Sequence, residues 1–186
     1  MTGTGRTMGP EYPVKNLLVT GMPGCGKTTL VKGILPFLEP YHPAGFYTQE
    51  IREKGKRVGF SLVSTGGERA ILAHVQCQSR FHVGKYGVDI GGFEKFLATI
   101  PFQGARLVVI DEIGKMESLS GEFRRIVDEI LASPSFCLAT IAARGTPWIE
   151  GIKKRDEIEV ISLDRGNAGS LARAVVNRVR TILGPG

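Results

Sequence analysis

The sequence predicts a three-layer α/β fold in which helices cover both faces of a mostly parallel central sheet. Three observations support this class. Short apolar runs that suit buried strands alternate with segments whose apolar residues have helical spacing. A glycine-rich loop joins the first predicted strand to the first predicted helix. Three strand-like runs separated by short turns follow that helix, and they predict an antiparallel meander that extends the sheet at one edge.

The first half of the chain is predicted to contain a strand, a helix and the meander. The apolar run KNLLVT at 15–20 suits a buried strand. Apolar residues at helical spacing predict a helix over Lys27–Leu38, and Pro40 lies just beyond its end. The three strands of the meander are predicted at 44–51, 57–64 and 68–75, with turns at 54–56 and 66–67.

The second half is predicted to alternate regularly between helices and strands. Its most apolar strand is RLVVI at 106–110, which suits the centre of the sheet. The other predicted strands are 136–141 and 159–162, and the predicted helices are 89–100, 119–132, 148–154 and 168–183.

Length and composition predict one globular domain over 1–186, with 1–13 and 183–186 as flexible tails. The hydrophobic content is 42% and the charged content 23%, which are ordinary globular values. The three cysteines show no CxxC spacing, so they predict neither disulfides nor a zinc site but a reducing compartment. The start of the chain has no apolar core typical of a signal peptide, and no apolar run is long enough to span a membrane. We therefore expect a cytoplasmic protein without membrane contact, and a monomer.

The segment Gly21–Thr28 (GMPGCGKT) fits the phosphate-binding pattern G-x-x-x-x-G-K-[ST] between a predicted strand and a predicted helix. Glycines let backbone N–H groups surround phosphate oxygens, and the N-terminus of the following helix attracts the anion. Lys27 is expected to contact the β- and γ-phosphates, Thr28 to bind Mg²⁺, and Thr29 to cap the helix or touch the α-phosphate. The predicted nucleotide-binding residues are Gly21, Met22, Pro23, Gly24, Cys25, Gly26, Lys27, Thr28 and Thr29.

Two adjacent carboxylates, Asp111 and Glu112, follow the apolar strand 106–110. Ligands of open α/β sheets bind at the carboxyl ends of strands, so Asp111 is predicted to reach Mg²⁺. Glu112 would point elsewhere and is predicted to orient or polarise the water that attacks the γ-phosphate. For Lys115, stabilisation of transition-state charge and simple solvation both remain open. The predicted catalytic residues are Lys27, Asp111, Glu112 and Lys115, and the predicted metal ligands are Thr28 and Asp111.

Other charged residues have simpler interpretations. Arg144 follows the strand 136–141 and is a candidate phosphate-sensing arginine. Glu117 is interpreted as a charge at the N-terminus of a helix. The basic runs at 124–125 and 153–155 are typical of solvated helix faces. The three histidines are scattered without metal-ligand spacing.

Four segments together resemble one family, the THEP-type nucleoside triphosphatases, which include the cancer-related nucleoside-triphosphatase. The resemblance runs over 15–161. It implies a RecA-like or ASCE-type P-loop fold and Mg²⁺-dependent hydrolysis of ATP, GTP and other nucleoside triphosphates such as CTP and UTP. It matches the loop Gly21–Thr28 together with Asp111, Glu112 and Lys115. The segments that carry it are GMPGCGKTTL, GFYTQEIREKGKRVGF, VDIGGFEKF and LVVIDEIGKME.

Two regions of the resemblance receive no catalytic assignment. In the meander, residues such as Arg57 are expected to hold strands together, and Arg52 is expected to pair with Glu50 or Glu53. After the last strand, family members usually have an Asn-Arg pair, whereas this chain has SLDRGN at 162–167. Contacts of that segment to a base or ribose therefore stay open, with Arg165 and Asn167 as candidates.

Two other classes of function remain open from the sequence. A nucleotide, nucleoside or polynucleotide kinase uses the same phosphate-binding loop, but it needs a second pocket and an arginine-rich lid. A nucleotide-dependent nucleic-acid-binding switch fits the net charge of +6, although no interleaved aromatic and basic pattern supports it.

Overall fold

A computed structural model describes residues 14–185 as a nine-stranded sheet flanked by five helices. The predicted tail at 1–13 and the final residue of the predicted tail at 183–186 lie outside the described residues. No helix in the described range is long and apolar enough to cross a membrane. The strands are β1 (Asn16–Gly21), β2 (Ala44–Glu53), β3 (Lys56–Ser64), β4 (Arg69–His74), β5 (His82–Val83), β6 (Tyr86–Val88), β7 (Leu107–Ile113), β8 (Phe136–Ala142) and β9 (Ile158–Ser162). The helices are α1 (Lys27–Leu38), α2 (Ile90–Leu97), α3 (Gly121–Ala132), α4 (Pro147–Ile152) and α5 (Ala168–Leu183).

The sheet consists of a parallel half and an antiparallel half that meet at β2. Its strand order is β5-β6-β4-β3-β2-β7-β8-β1-β9. Strand β2 pairs in parallel with β7 and in antiparallel fashion with β3. Strand β8 lies between β1, which leads into the glycine-rich loop, and β7, which carries the two carboxylates. The predicted mostly parallel sheet with a meander at one edge is confirmed.

Helices cover both faces of the sheet, as the three-layer prediction requires. Side chains alternate between the faces of a strand, so Leu17 and Val19 of β1 face one core and Leu18 faces the other. The first core includes buried residues of α1 and α5, and the second includes buried residues of α2, α3 and α4. Cys25 of the glycine-rich loop packs against the first of these cores.

Several elements differ from the prediction at their ends. Strand β7 continues past the predicted end at Ile110, because Ile113 is buried and pairs with Ile141 of β8. Strands β5 and β6 were not predicted, and they are only two and three residues long. At the C-terminus, Leu183 ends α5 and the Gly184 carbonyl accepts a hydrogen bond from a tyrosine hydroxyl, where a loose segment was predicted.

Candidate active site

The glycine-rich loop has the backbone geometry that a phosphate-binding loop needs. It connects the end of β1 to the start of α1 at Lys27. Gly24 and Gly26 have φ angles of 77° and 106°, which L-residues with side chains rarely adopt. A methyl group on Gly21 would lie 2.7 Å from the Leu163 carbonyl oxygen, so that position accepts only glycine. This geometry, next to the N-terminus of α1, suits the binding of an anion.

Lys27 lies at the inner end of this loop with only 8% of its surface exposed. Its ammonium donates a hydrogen bond to the Gly21 carbonyl at 3.1 Å and lies 3.4 Å from Glu112 Oε2. An ammonium has three N–H donors, so these contacts leave one for a phosphate oxygen. Lys27 thus links the glycine-rich loop to the acidic end of β7.

Asp111 is the most completely buried charged group of the site, with an exposure of 0%. Its Oδ2 accepts a hydrogen bond from the Thr28 hydroxyl at 2.7 Å, and its Oδ1 accepts one from the Thr140 hydroxyl at 2.5 Å. The Thr48 hydroxyl also approaches Oδ2, at 3.3 Å. Three hydroxyls from α1, β2 and β8 therefore hold this carboxylate in a fixed orientation.

Glu112 reaches toward Lys27 of the loop and stays partly exposed, at 29% of its side chain. The pairing of β7 with β8 is irregular between Ile110 and Ile113, where the two carboxylates lie. Burial is the main cause that raises the pKa of the Glu112 carboxyl. The Lys27 ammonium lowers this pKa and the Asp111 carboxylate raises it. The two neighbouring acids thus have different surroundings, which suits two different roles.

The donor set at Asp111 fits a magnesium ion. Mg²⁺ prefers oxygen ligands, and it usually binds one or two carboxylates together with waters and substrate phosphates. Asp111 and Thr28 supply a carboxylate and a hydroxyl at the end of a strand, beside the anion-binding loop. Within residues 14–185 there is no group of three or more His, Cys, Asp or Glu side chains that could hold a metal alone. The oxygen ligands of Asp111 and Thr28 are of the kind that suits Mg²⁺.

A family comparison agrees with this geometry. The sequence model of a family described as NTPase matches residues 16–176. The chain belongs to this NTPase family. It is 42% identical over 164 residues to the nucleoside-triphosphatase THEP1 of Thermotoga petrophila, which covers 86% of this chain and 90% of that protein. It is 35% identical over 185 residues to the cancer-related nucleoside-triphosphatase homolog of Mus musculus, which covers 90% of this chain and 97% of that protein.

Two solved structures share the fold of this NTPase family member. The crystal structure of THEP1 from Aquifex aeolicus superimposes with a TM-score of 0.79 at 32% identity and covers 88% of this chain and 98% of that one. The solution structure of a human cancer-related nucleoside triphosphatase gives a TM-score of 0.77 at 32% identity, with coverages of 90% and 98%. The predicted family, the P-loop fold class and the hydrolase class of enzyme are confirmed.

The remaining predicted site residues of this NTPase lie at the edge of the site rather than in its buried centre. Met22, Thr29 and Lys115 are exposed, and Pro23 and Gly24 are exposed as well. Arg144 is also exposed; it lies two residues after Ala142, which pairs with Gly21 at the start of the loop. The structure therefore brings Lys27, Thr28, Asp111 and Glu112 into contact and leaves Lys115 and Arg144 at the rim.

Sequence reasoning missed three polar residues of the site. Thr140 is fully buried in the apolar strand β8, and Thr48 lies on β2 one residue after Tyr47, the residue that pairs with Asp111. A polar residue inside an apolar strand was the available signal for Thr140. Glu117, interpreted as a charge at a helix N-terminus, is instead buried at 5% exposure. It begins a 3-10 turn, so it does not lie at the start of α3.

In the two regions without catalytic assignment, Arg52, Arg57 and Asn167 make contacts that hold their own segments together. Arg52 pairs with Glu50 at 2.6 Å, as predicted, and Arg57 pairs with the same carboxylate at 2.8 Å. The side chain of Asn167 accepts from the backbone of Asp164 and donates to the Ser162 carbonyl, so it holds its own loop together.

Proposed function

We propose that the chain hydrolyses the γ-phosphate of Mg²⁺-bound nucleoside triphosphates, including ATP, GTP, CTP and UTP, and releases nucleoside diphosphate and phosphate. One observation carries this proposal. The Thr28 hydroxyl and the Asp111 carboxylate, 83 positions apart, lie 2.7 Å from each other. This contact joins the phosphate-binding loop to the acidic end of β7, which is the pairing that triphosphate hydrolysis requires.

Substrate binding would rely on backbone groups and one buried cation. The amides of Gly21–Thr28 and the dipole of α1 attract the β- and γ-phosphates. Lys27 is held by the Gly21 carbonyl and Glu112, so its ammonium is already placed when a phosphate arrives. Little reorganisation is then needed as negative charge develops during the reaction.

The chemical step would use Glu112 to position a water molecule. The water oxygen attacks the γ-phosphorus, the bond between that phosphorus and the β–γ bridging oxygen breaks, and the diphosphate leaves. Glu112 accepts the proton of the attacking water. Burial raises the pKa of its carboxyl, which makes this group a better base than an exposed glutamate.

Asp111 and Thr28 would hold the magnesium ion. A bound Mg²⁺ would supply positive charge that offsets the negative charge of the phosphates. The three hydroxyls around Asp111 fix the orientation of its carboxylate, so they determine where a metal ligand is presented.

Lys115 and Arg144 are proposed to stabilise the leaving charge from the rim of the site. Lys115 is exposed and lies three residues after Glu112, in the loop that follows β7. Arg144 is exposed beside the start of the glycine-rich loop, and it takes part in none of the ion pairs found within residues 14–185. Alanine at either position is expected to lower kcat, and an unchanged kcat would remove that residue from the mechanism.

A broad choice of base is supported by the surroundings of the loop. A cavity of about 380 Å³ lies between the glycine-rich loop and the segment 162–165. Asp164 Oδ1 already accepts hydrogen bonds from the amides of Gly166 and Asn167. These two bonds hold Oδ1 within its own loop. Arg165 also lines the cavity, and a guanidinium can stack on any base.

The arrangement of the meander favours hydrolysis over phosphoryl transfer to a second substrate. A kinase would use a mobile, arginine-rich lid over its acceptor. The strands β2, β3 and β4 are instead hydrogen-bonded into the central sheet. Phosphate release without any acceptor would support a hydrolase, and transfer to a nucleoside or polynucleotide would reassign the enzyme.

We also propose a monomeric enzyme of the reducing cytoplasm. The cysteines Cys25, Cys77 and Cys137 are free thiols, which suits that compartment. Sedimentation of the purified chain tests the oligomeric state, and fractionation of cells tests the compartment.

The decisive experiment replaces Glu112 with glutamine. Glu112→Gln is expected to bind nucleotide as the unaltered chain does but to lower kcat by ~10²-fold or more, the scale of a lost general base. Glu129→Gln is the matched control, because that glutamate is exposed on α3 away from the site. Phosphate release is measured with each of the four triphosphates, with and without Mg²⁺ and with added RNA or DNA. Full turnover by Glu112→Gln would assign the base elsewhere.

A further inference from the structure

Glu117 is a buried carboxyl for which the proposed reaction gives no role. It is 5% exposed and begins the 3-10 turn Glu117–Leu119, a few residues after the end of β7. None of the ion pairs found within the described residues includes it. Burial of a carboxyl without a cation is unfavourable, and such residues are rare in protein interiors. A carboxylate whose only role is to interact with the N-terminus of a helix is expected to be exposed to solvent, unlike Glu117.

The carboxyl groups of Glu117 and Glu112 both lie close to Gly114. A methyl group on Gly114 would lie 2.7 Å from Glu117 Oε2 and 2.9 Å from Glu112 Oε1. Both oxygens are the ends of flexible side chains, so these distances show that the two carboxyl groups lie beside Gly114. The turn is closed by a hydrogen bond from the Ser118 amide to the Gly114 carbonyl, at 3.0 Å. Because both oxygens lie so near one point beside Gly114, a single water molecule can bridge the two acids.

The two oxygens of Glu112 face different partners. Its Oε2 lies 3.4 Å from the Lys27 ammonium, and its Oε1 is the oxygen nearest to Gly114, toward Glu117. An ammonium on one oxygen and a hydrogen-bond donor near the other would fix the plane of the carboxylate. The direction in which Glu112 presents a lone pair to water would then be set by both neighbours.

Glu117 has the protonation state that such a donor needs. Burial raises the pKa of its carboxyl to about 8, and the negative charges of Glu112 and Asp111 contribute to the rise, whereas hydrogen bonds with the backbone of Glu117 and Gly114 act in the opposite direction. A protonated carboxyl carries one O–H donor, whereas an ionised one only accepts.

We propose that Glu117 is a positioning residue that donates a hydrogen bond from its carboxyl group to the carboxylate of Glu112, directly or through one water. The inference rests on the proposed function, in which Glu112 accepts a proton from the attacking water. Glu117 itself touches neither substrate nor metal in this scheme. Its effect on the reaction acts entirely through the orientation of Glu112.

The test compares Glu117→Leu and Glu117→Gln, each alone and combined with Glu112→Gln. Leucine removes the donor, so kcat is expected to fall by about tenfold, the scale of a lost supporting hydrogen bond, with KM and nucleotide affinity unchanged. The glutamine amide still donates, so Glu117→Gln is expected to keep kcat close to that of the unaltered chain. In the Glu112→Gln background, Glu117→Leu is expected to have no further effect on kcat.

Two results would overturn the inference: an unchanged kcat for Glu117→Leu, or the same loss in both backgrounds. If circular dichroism shows that Glu117→Leu does not fold, the pH profile of Glu117→Gln decides. The kcat of the unaltered chain should fall above about pH 8, as Glu117 ionises, and that of Glu117→Gln should not. Identical profiles would overturn the inference.

The same experiments separate this inference from the proposed function. A chain that releases no phosphate overturns both. Hydrolysis that is impaired by Glu112→Gln but insensitive to Glu117→Leu retains the function and rejects only the role of Glu117.

Discussion

The parallel half of the sheet and the meander use charged residues in opposite ways. In the parallel half, Lys27 and Asp111 are buried, with exposures of 8% and 0%. In the meander, Glu50, Arg52 and Arg57 are exposed and neutralise each other across neighbouring strand positions. The acid–base contacts of the meander are the shorter ones, at 2.6 and 2.8 Å against 3.4 Å between Lys27 and Glu112, so a short distance does not mark the site.

The two regions differ in the free energy that is needed to keep a charged group in the folded state. An exposed ion pair contributes little to the free energy of unfolding, because water solvates both of its members when they separate. A buried charge is unfavourable unless hydrogen bonds and opposite charges surround it. Asp111 is retained by three hydroxyls although no cation pairs with it in residues 14–185. A buried charged group that lacks a full set of opposite charges therefore indicates the site better than the number of charged residues in a region does.

The largest effect is expected for Lys27→Ala. Removal of a buried, hydrogen-bonded charge typically costs about 2–5 kcal/mol, so nucleotide affinity should fall by about 10²-fold or more. Hydrolysis should fall with it, because the variant also leaves Glu112 without its cation. Titration with a fluorescent nucleotide measures the affinity, and phosphate release measures the rate.

Lys32→Ala is the matched control for that variant. Lys32 is exposed on the same helix and lies 5.6 Å from the ring centre of Tyr47. An exposed cation–π contact is worth about 0.5–1 kcal/mol, so affinity for nucleotide should be unchanged and stability slightly lower. Equal losses in the two variants would mean that burial of the lysine does not mark function.

A smaller effect is expected for Thr140→Val, which tests the hydroxyls around Asp111. The variant keeps the shape of the side chain but leaves Asp111 Oδ1 without its 2.5 Å hydrogen bond. An unsatisfied buried acceptor costs about 1–3 kcal/mol, so the free energy of unfolding should fall by that amount. Urea denaturation measures the loss. If the double variant loses the sum of the free energies of unfolding that Thr140→Val and Asp111→Asn lose separately, the two groups do not stabilise each other.

The sequence was sufficient where one local pattern determines one local structure. The helix Lys27–Leu38 has the bounds that its apolar spacing and the glycine-rich loop predict. Strand β7 and the acids at its end were predicted because ligand-binding residues follow apolar parallel strands. The pairing of Arg52 with Glu50 was predicted because both lie on one short stretch of strand.

The sequence was not sufficient where distant residues meet. Thr140 reaches Asp111 only because β8 is the neighbour of β7 in the sheet, and strand order is not a local property. Glu117 begins a 3-10 turn and is buried. In the sequence alone it looks the same as an exposed acid at the N-terminus of a helix. Strands β5 and β6 are too short to produce a recognisable period-2 pattern.

The pH dependence of stability separates a buried acid from an exposed one. The folded state binds a proton to Glu117 more tightly than the unfolded state does, because burial raises its pKa from 4.5 to about 8. The contribution of Glu117 to the free energy of unfolding therefore falls as pH rises from about 4.5 to about 8. Glu117→Gln should gain stability relative to the unaltered chain between pH 5 and pH 8, which denaturation at several pH values measures. A constant difference would mean that Glu117 is ionised in the folded protein.

The smallest effect is expected for Glu50→Gln in the meander. Hydrogen bonding to Arg57 is the main cause that lowers the pKa of the Glu50 carboxyl, and Arg52 acts in the same direction. Its stabilising contribution is present above the unfolded pKa and is lost as pH falls through the lowered folded value. Because all three side chains are exposed, the variant should lose less than about 1 kcal/mol of stability at neutral pH and less still in high salt. A fall in kcat with unchanged stability would instead place this exposed cluster in the reaction, and charge burial would no longer separate the two halves of the sheet.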